Sequence, residues 1–230
     1  MDVYLFFVDT ELFQMIHPIF QDFLAFLKNP IKSESYTKMS AKSFFVLLVV
    51  ALALVIPFSV LLKWLGVDQF DSIMEEMLAE NKWLVVIAAI FMAPLLEEQI
   101  FRLHLDLKIT SIWWGLGMSI LLISQQWYVS ALFIIYLVFL LVKVFRDRPP
   151  NLKFVIYTSS IFFALIHLGN FSNFELADHF YWIPVLVAAQ FFIGLILSYI
   201  RLKHGIWFSV WFHGAYNAIL IIPSVYFYEP

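Results

Sequence analysis

The chain has 230 residues, 63% of them hydrophobic and only 13% charged, with a formal net charge of −3. Soluble domains run nearer half apolar and a quarter charged, so this balance excludes an ordinary water-soluble fold. With no cysteine, disulfides, a thiolate nucleophile and thiolate metal sites are excluded as well.

Several apolar runs of about 18–20 residues are each long enough to cross a ~30 Å hydrocarbon core. They predict an all-α, polytopic transmembrane helical bundle of about seven spans, with the lipid bilayer as its partner and no nucleic-acid partner. Residues 1–28 are different. Asp9, Glu11, Gln14, His17, Gln21 and Asp22 interrupt the apolar residues, and Pro18 sits in the middle. That is too polar to span and lacks the basic start of a signal peptide, so an interfacial helix is expected. A polar linker over 29–42 completes an N-terminal region of residues 1–42, and the transmembrane domain is expected over 43–230.

The first span is read over 43–62. An acidic segment, 68–80, predicts a short surface helix, and the second span covers 83–102 with room to continue to 108. The third and fourth, 111–124 and 127–145, are closely joined, with Gln125 and Gln126 at the bend. Pro149-Pro150 breaks the chain into a loop, and Asn151 can cap the fifth span, 153–168. The sixth and seventh cover 180–200 and 206–222. With a cytoplasmic N-terminus, this arrangement puts 12 of the 14 Lys and Arg residues inside, leaving Lys63 and Lys82 outside. The C-terminus then lies outside. A bacterial plasma membrane is the expected location, with which the lack of an ER-retention signal is compatible.

Few polar side chains inside the spans need explaining. Glu97 and Glu98 are adjacent near the end of the second span, where charge is costly and marks function by default. Glu98 and Arg102 are four apart and can neutralise each other. Glu97 points about 100° away and needs a partner from another helix. His167 stands one turn beyond Phe163 on the fifth span, and His213 and Asn217 share a face of the seventh. Gly214 and Ala215 there would admit a neighbouring backbone. At ~1.5 Å per residue, Glu97, His167, His213 and Asn217 all lie roughly 15–21 Å in from the cytoplasmic helix ends. One buried site is geometrically allowed. A carboxylate there could act as general base for water, an imidazole could assist, and an imidazole beside an amide could stabilise an oxyanion. No Gly-x-Ser-x-Gly elbow and no His-Glu-x-x-His helix is present. Taken singly, each of these residues is more simply a structural ion pair or interhelical hydrogen bond. Taken together they suggest hydrolysis of an amide bond.

In order, Glu97-Glu98-x-x-x-Arg102, Phe163-x-x-x-His167 and His213-x-x-x-Asn217 resemble the motifs of the CPBP family (CAAX protease and bacteriocin-processing, also called Abi), which includes the Rce1-type CAAX prenyl endopeptidases. The resemblance spans roughly residues 83–222. It implies an intramembrane endopeptidase in which Glu97 activates water, His167 assists, and His213 with Asn217 forms the oxyanion hole. Glu98, Arg102 and Phe163 would support the site, and no cofactor is implied. The long interval between Arg102 and Phe163 is read as an inserted helical hairpin over 111–145. The expected partner is a peptide or membrane-protein substrate, prenylated or not. Two alternatives stand beside this one. Glu97, His167 and His213 could bind zinc in a metalloprotease. The fold could also serve as a non-catalytic scaffold for a regulatory or immunity partner in the membrane.

Overall fold

The computed structural model describes residues 10–122 and 127–227. Asp9 and the bend assigned to Gln125 and Gln126 lie outside the described residues. The first helix, α1 (Thr10–Lys28), is fastened to the bundle. Its Phe23 and Phe26 are buried edge-on against Tyr199, at ring separations of 5.6 and 5.2 Å. Tyr199 donates to the Asp22 carboxylate at 2.5 Å, and Lys203 pairs with the same oxygen. The linker after α1 is also tied down. Its Ser33 and Thr37 N–H groups donate to the carbonyls of Leu202 and Lys203.

Local chemistry sets several helix ends. α2 (Ala41–Leu65) starts where Ser40 Oγ accepts from the Ser43 N–H, and it stops at Gly66, whose φ of +91° a side chain would oppose. α3 (Ile73–Ile87) merges the expected acidic surface helix with the start of the second span. The two halves meet at Asn81 (φ −157°, ψ 97°), whose side chain accepts from the Leu84 N–H and so caps the second half. A wide π-turn over Ala88–Met92 leads into α4 (Ala93–Phe101). The α-helix does not run on to Lys108. Arg102 leaves helical geometry at φ −122°, and a 3₁₀ turn over Leu103–Asp106 follows.

α5 (Ile109–Met118) continues as a 3₁₀ turn only to Leu122. Among the described residues, the stretch read as a third span is a short apolar helix, Ile109–Leu122, shorter by itself than a full crossing. It packs on α4 and on α6 (Trp127–Phe145). α7 (Leu152–Ile166) begins where Asn151 accepts from the Lys153 N–H. The sixth span is bent. Short helices α8 (Leu176–His179) and α9 (Ile183–Leu186) meet α10 (Ala188–His204) at 50°, with the chain leaving helical geometry at Val187 (φ −104°, ψ 0°). α11 (Ile206–Phe227) follows Gly205, at φ +98°.

Among the described residues, five helical segments are long and apolar enough to cross a membrane, six when the bent pair is one span. The chain is a multi-pass membrane protein. α10 is the central helix, with every residue from Ile193 to Leu202 buried. α7 lies closest to it. A Cβ on Gly194 would stand 3.1 Å from Ser160 Cβ and 3.2 Å from Phe163 Cδ1, so a side chain there would have to push α7 back by a few tenths of an ångström. Large apolar side chains such as Trp64, Trp207 and Trp211 cover the outside.

Two residues counted as inner-side loop charges are instead buried. Arg102 is 1% exposed and Arg201 3%. Arg201 pairs with Asp106 at 3.3 Å, and its Nε donates to the Arg102 carbonyl. The positive-inside count therefore rests on fewer true loop charges than the sequence suggests.

Candidate active site

The adjacent carboxylates of α4 face in different directions, as the 100° step of a helix requires. Glu98 is completely buried. It accepts hydrogen bonds from Ser209 Oγ and from His213 Nδ1 (3.0 Å), both on α11, and lies 3.7 Å from Arg102 Nη1. Glu97 opens instead onto a cavity of about 280 Å³, with its Oε2 3.8 Å from His213 Nε2. The partner that Glu97 needs from another helix is thus His213. One imidazole bridges both carboxylates.

Phe163 is the hub of the site. Its ring face carries the Arg102 guanidinium, with Cζ 3.7 Å from the centroid, and its edges meet the rings of His167 (4.7 Å) and His213 (5.8 Å). A cation over an aromatic face is attracted by the ring quadrupole, here with little competition from water. The terminal nitrogens of Arg102 make no hydrogen bond among the described residues. The ring and Glu98 hold the charge. His167 caps the end of α7, with its Nδ1 2.6 Å from the Phe163 carbonyl. A carbonyl only accepts, so Nδ1 carries a hydrogen, and in the neutral imidazole Nε2 keeps a lone pair.

Asn217 owes its position to Pro94. In the wide turn the Ala93 N–H donates to Ala88, five residues back, rather than to Ala89. The next N–H in that pattern would come from residue 94, and proline has none. The Ala89 carbonyl is left without a helical donor, and Asn217 Nδ2 supplies one at 2.7 Å. Gly214 makes the approach feasible, since a Cβ there would lie 2.8 Å from the Ile90 carbonyl oxygen.

Glu97, Phe163, His167, His213 and Asn217 line the one cavity, and Glu97 is its sole carboxylate among the described residues. Glu98 and Arg102 stand behind the cavity and do not line it. Sequence reasoning missed Ser209, one turn before His213 on the same face, and Gln190, an amide in an otherwise apolar span. It also missed Asn170, at the end of the 3₁₀ turn His167–Asn170 that follows α7. His104, outside the cavity, is fully buried, with Nδ1 3.1 Å from the Ile100 carbonyl. Among the described residues no three His, Asp or Glu side chains converge closely enough to hold a metal ion.

No curated protein and no solved structure matches the chain. A family model described as type II CAAX prenyl endopeptidase Rce1-like matches residues 79–219, from the middle of α3 to the middle of α11. That stretch contains every motif residue of the cavity, and the chain belongs to the Rce1-like type II CAAX prenyl endopeptidase family.

Proposed function

We propose that this member of a protease family is an intramembrane endopeptidase that uses a glutamate-activated water. The observation that carries it is the convergence of Glu97, His167, His213 and Asn217 from three helices on one cavity inside an apolar bundle. Glu97 would take a proton from water as it attacks the scissile carbonyl. His167, with its Nε2 lone pair, would relay that proton toward the leaving amine. His213 Nε2 and the second N–H of Asn217 would meet the developing oxyanion, an interaction worth about 10²–10³-fold per donor in other acyl-transfer sites. Glu98, Ser209, Arg102 and Phe163 would fix the ring of His213 and the end of α4. The substrate is a peptide or membrane protein, with a prenylated C-terminal segment as the first class to try. We place the N-terminus on the cytoplasmic side and the C-terminus outside, in a bacterial plasma membrane. That orientation requires the 109–122 helix and the residues after it to complete a crossing.

The test is hydrolysis of a quenched peptide library, with farnesylated CAAX peptides included, by detergent-purified protein with and without a strong chelator. Cleavage indifferent to chelator and lost in Glu97→Gln supports this mechanism. Cleavage lost on chelation and restored by Zn²⁺ would replace it with a metalloprotease. No cleavage by folded protein would favour a non-catalytic membrane scaffold.

A further inference from the structure

We propose that Gln190 anchors the substrate backbone: its carboxamide pairs with a peptide group of the bound chain beside the scissile bond. This assignment rests on the peptidase function proposed above.

Gln190 lies on the first turn of α10, just past the 50° bend, and lines the same cavity as Glu97 and His167. Its Oε1 is buried and has no hydrogen-bond partner among the described residues. A buried carbonyl oxygen without a donor costs about 1–3 kcal/mol, so a side chain of this kind in an apolar helix calls for a reason. The packing of α10 supplies the direction. Gly194, one turn further along, is pressed against Ser160 and Phe163 of α7. Residues four apart share a helix face, so Gln190 is also presented toward α7. The two helices run in opposite senses, which sets Gln190 one turn beyond Phe163, at the level of His167.

The chemistry of the group selects its ligand. A peptide entering an apolar cavity loses water from its N–H and C=O groups and must find replacements. A carboxamide offers an acceptor and donors at the spacing of a peptide group itself. It carries no charge, so it can bind the backbone without competing with Glu97 for the proton of the attacking water.

Amide-to-ester replacement tests the assignment directly. The best-cleaved library peptide is compared with analogues in which one backbone N–H near the scissile bond, but not in it, is replaced by an ester oxygen. In the wild type, one such replacement is expected to lower kcat/KM about tenfold, the loss of a single buried hydrogen bond. Gln190→Met should lower kcat/KM for the amide peptide by about the same factor and abolish discrimination at that position, at an unchanged thermal midpoint. Gln190→Glu keeps an acceptor and should keep the discrimination. Wild-type discrimination persisting in Gln190→Met overturns the assignment while leaving the peptidase intact. If Gln190→Met does not fold, the same comparison in Gln190→Ala decides by the same criterion. Absence of any hydrolysis by the wild type overturns the peptidase function, and this assignment with it.

Discussion

Glu98 Oε1 lies 3.0 Å from Nδ1 of His213, and this contact determines which ring nitrogen of His213 serves the cavity. An ionised carboxylate only accepts, so the hydrogen of that bond belongs to Nδ1. Nε2 is thereby turned to Glu97, 3.8 Å away. The imidazole can donate from Nε2 to an oxyanion only when it carries both hydrogens. The second carboxylate of the pair thus sets up the ring on which the first depends.

The two glutamates are expected to separate in their mutational effects. Glu97→Gln should lower kcat by about 10²–10⁴-fold, the usual contribution of a general base, with no loss of thermal stability. Glu98→Gln should lower stability by about 3–5 kcal/mol, because it leaves Arg102 buried without its carboxylate. Activity and thermal unfolding measured on both variants check this. Equal stability losses would mean that the two carboxylates are not divided between cavity and interior.

Gly214→Ala is expected to destabilise by about 1–3 kcal/mol, because the new Cβ meets a backbone oxygen that cannot step aside. Pushing α11 away from the wide turn also lengthens the bond from Asn217 to Ala89, so activity should fall as well. Gly117→Ala is the control. Nothing lies within 4 Å of a Cβ built there, and the same change should be neutral or slightly stabilising. Thermal midpoints of the two variants, read side by side, give the answer.

Arg201 holds the frayed end of α4 through the Arg102 carbonyl and Asp106. Arg201→Met should cost about 3–5 kcal/mol by leaving Asp106 unpaired. Arg201→Met combined with Asp106→Leu should recover much of that loss. A double variant no more stable than the single one would show that the carbonyl contacts of Arg201, rather than its charge, matter.

The contact between α1 and α10 should be acid-sensitive. Partial burial raises the Asp22 carboxyl, but hydrogen bonds from Lys203 and Tyr199 and the Lys203 charge outweigh it and hold the group below its ordinary value of 3.8. A carboxylate lowered in the folded state stabilises above its unfolded pKa, and the benefit disappears as pH falls through the folded one. Protection factors of the α1 amides, which remove the intrinsic pH dependence of exchange, should therefore be unchanged between pH 7 and 5 and fall below about pH 4. Asp22→Asn should exchange faster at neutral pH and show a smaller acid response.

Helical periodicity made much of the site readable in the chain. Glu98 with Arg102, Phe163 with His167, and His213 with Asn217 are each four apart, and each pair does share a face. What failed was whatever depends on a break in that periodicity. The wide turn at Ala88–Met92 arises where Pro94 removes a donor, and the carbonyl that receives Asn217 cannot be inferred from side-chain spacing. The reset at Val187, which places Gln190, leaves no mark in the spacing of the apolar side chains around it. Arg201 was misjudged because a basic residue at a helix end looks like a solvated charge. Its partner Asp106 lies 95 positions away.

The wide turn before α4 has a mechanical meaning. A π-turn holds one residue more than an α-turn, so the helix beyond it is rephased by about 100° relative to the helix before it. Trp83 and Leu84, which are exposed, and Glu98, which is sealed, lie on one continuous segment but answer to different surroundings. The extra residue acts as a rotational joint between them. The outer half can follow the bilayer while the inner half keeps its carboxylates aimed at α11, and removing one residue from the turn would force a choice between the two.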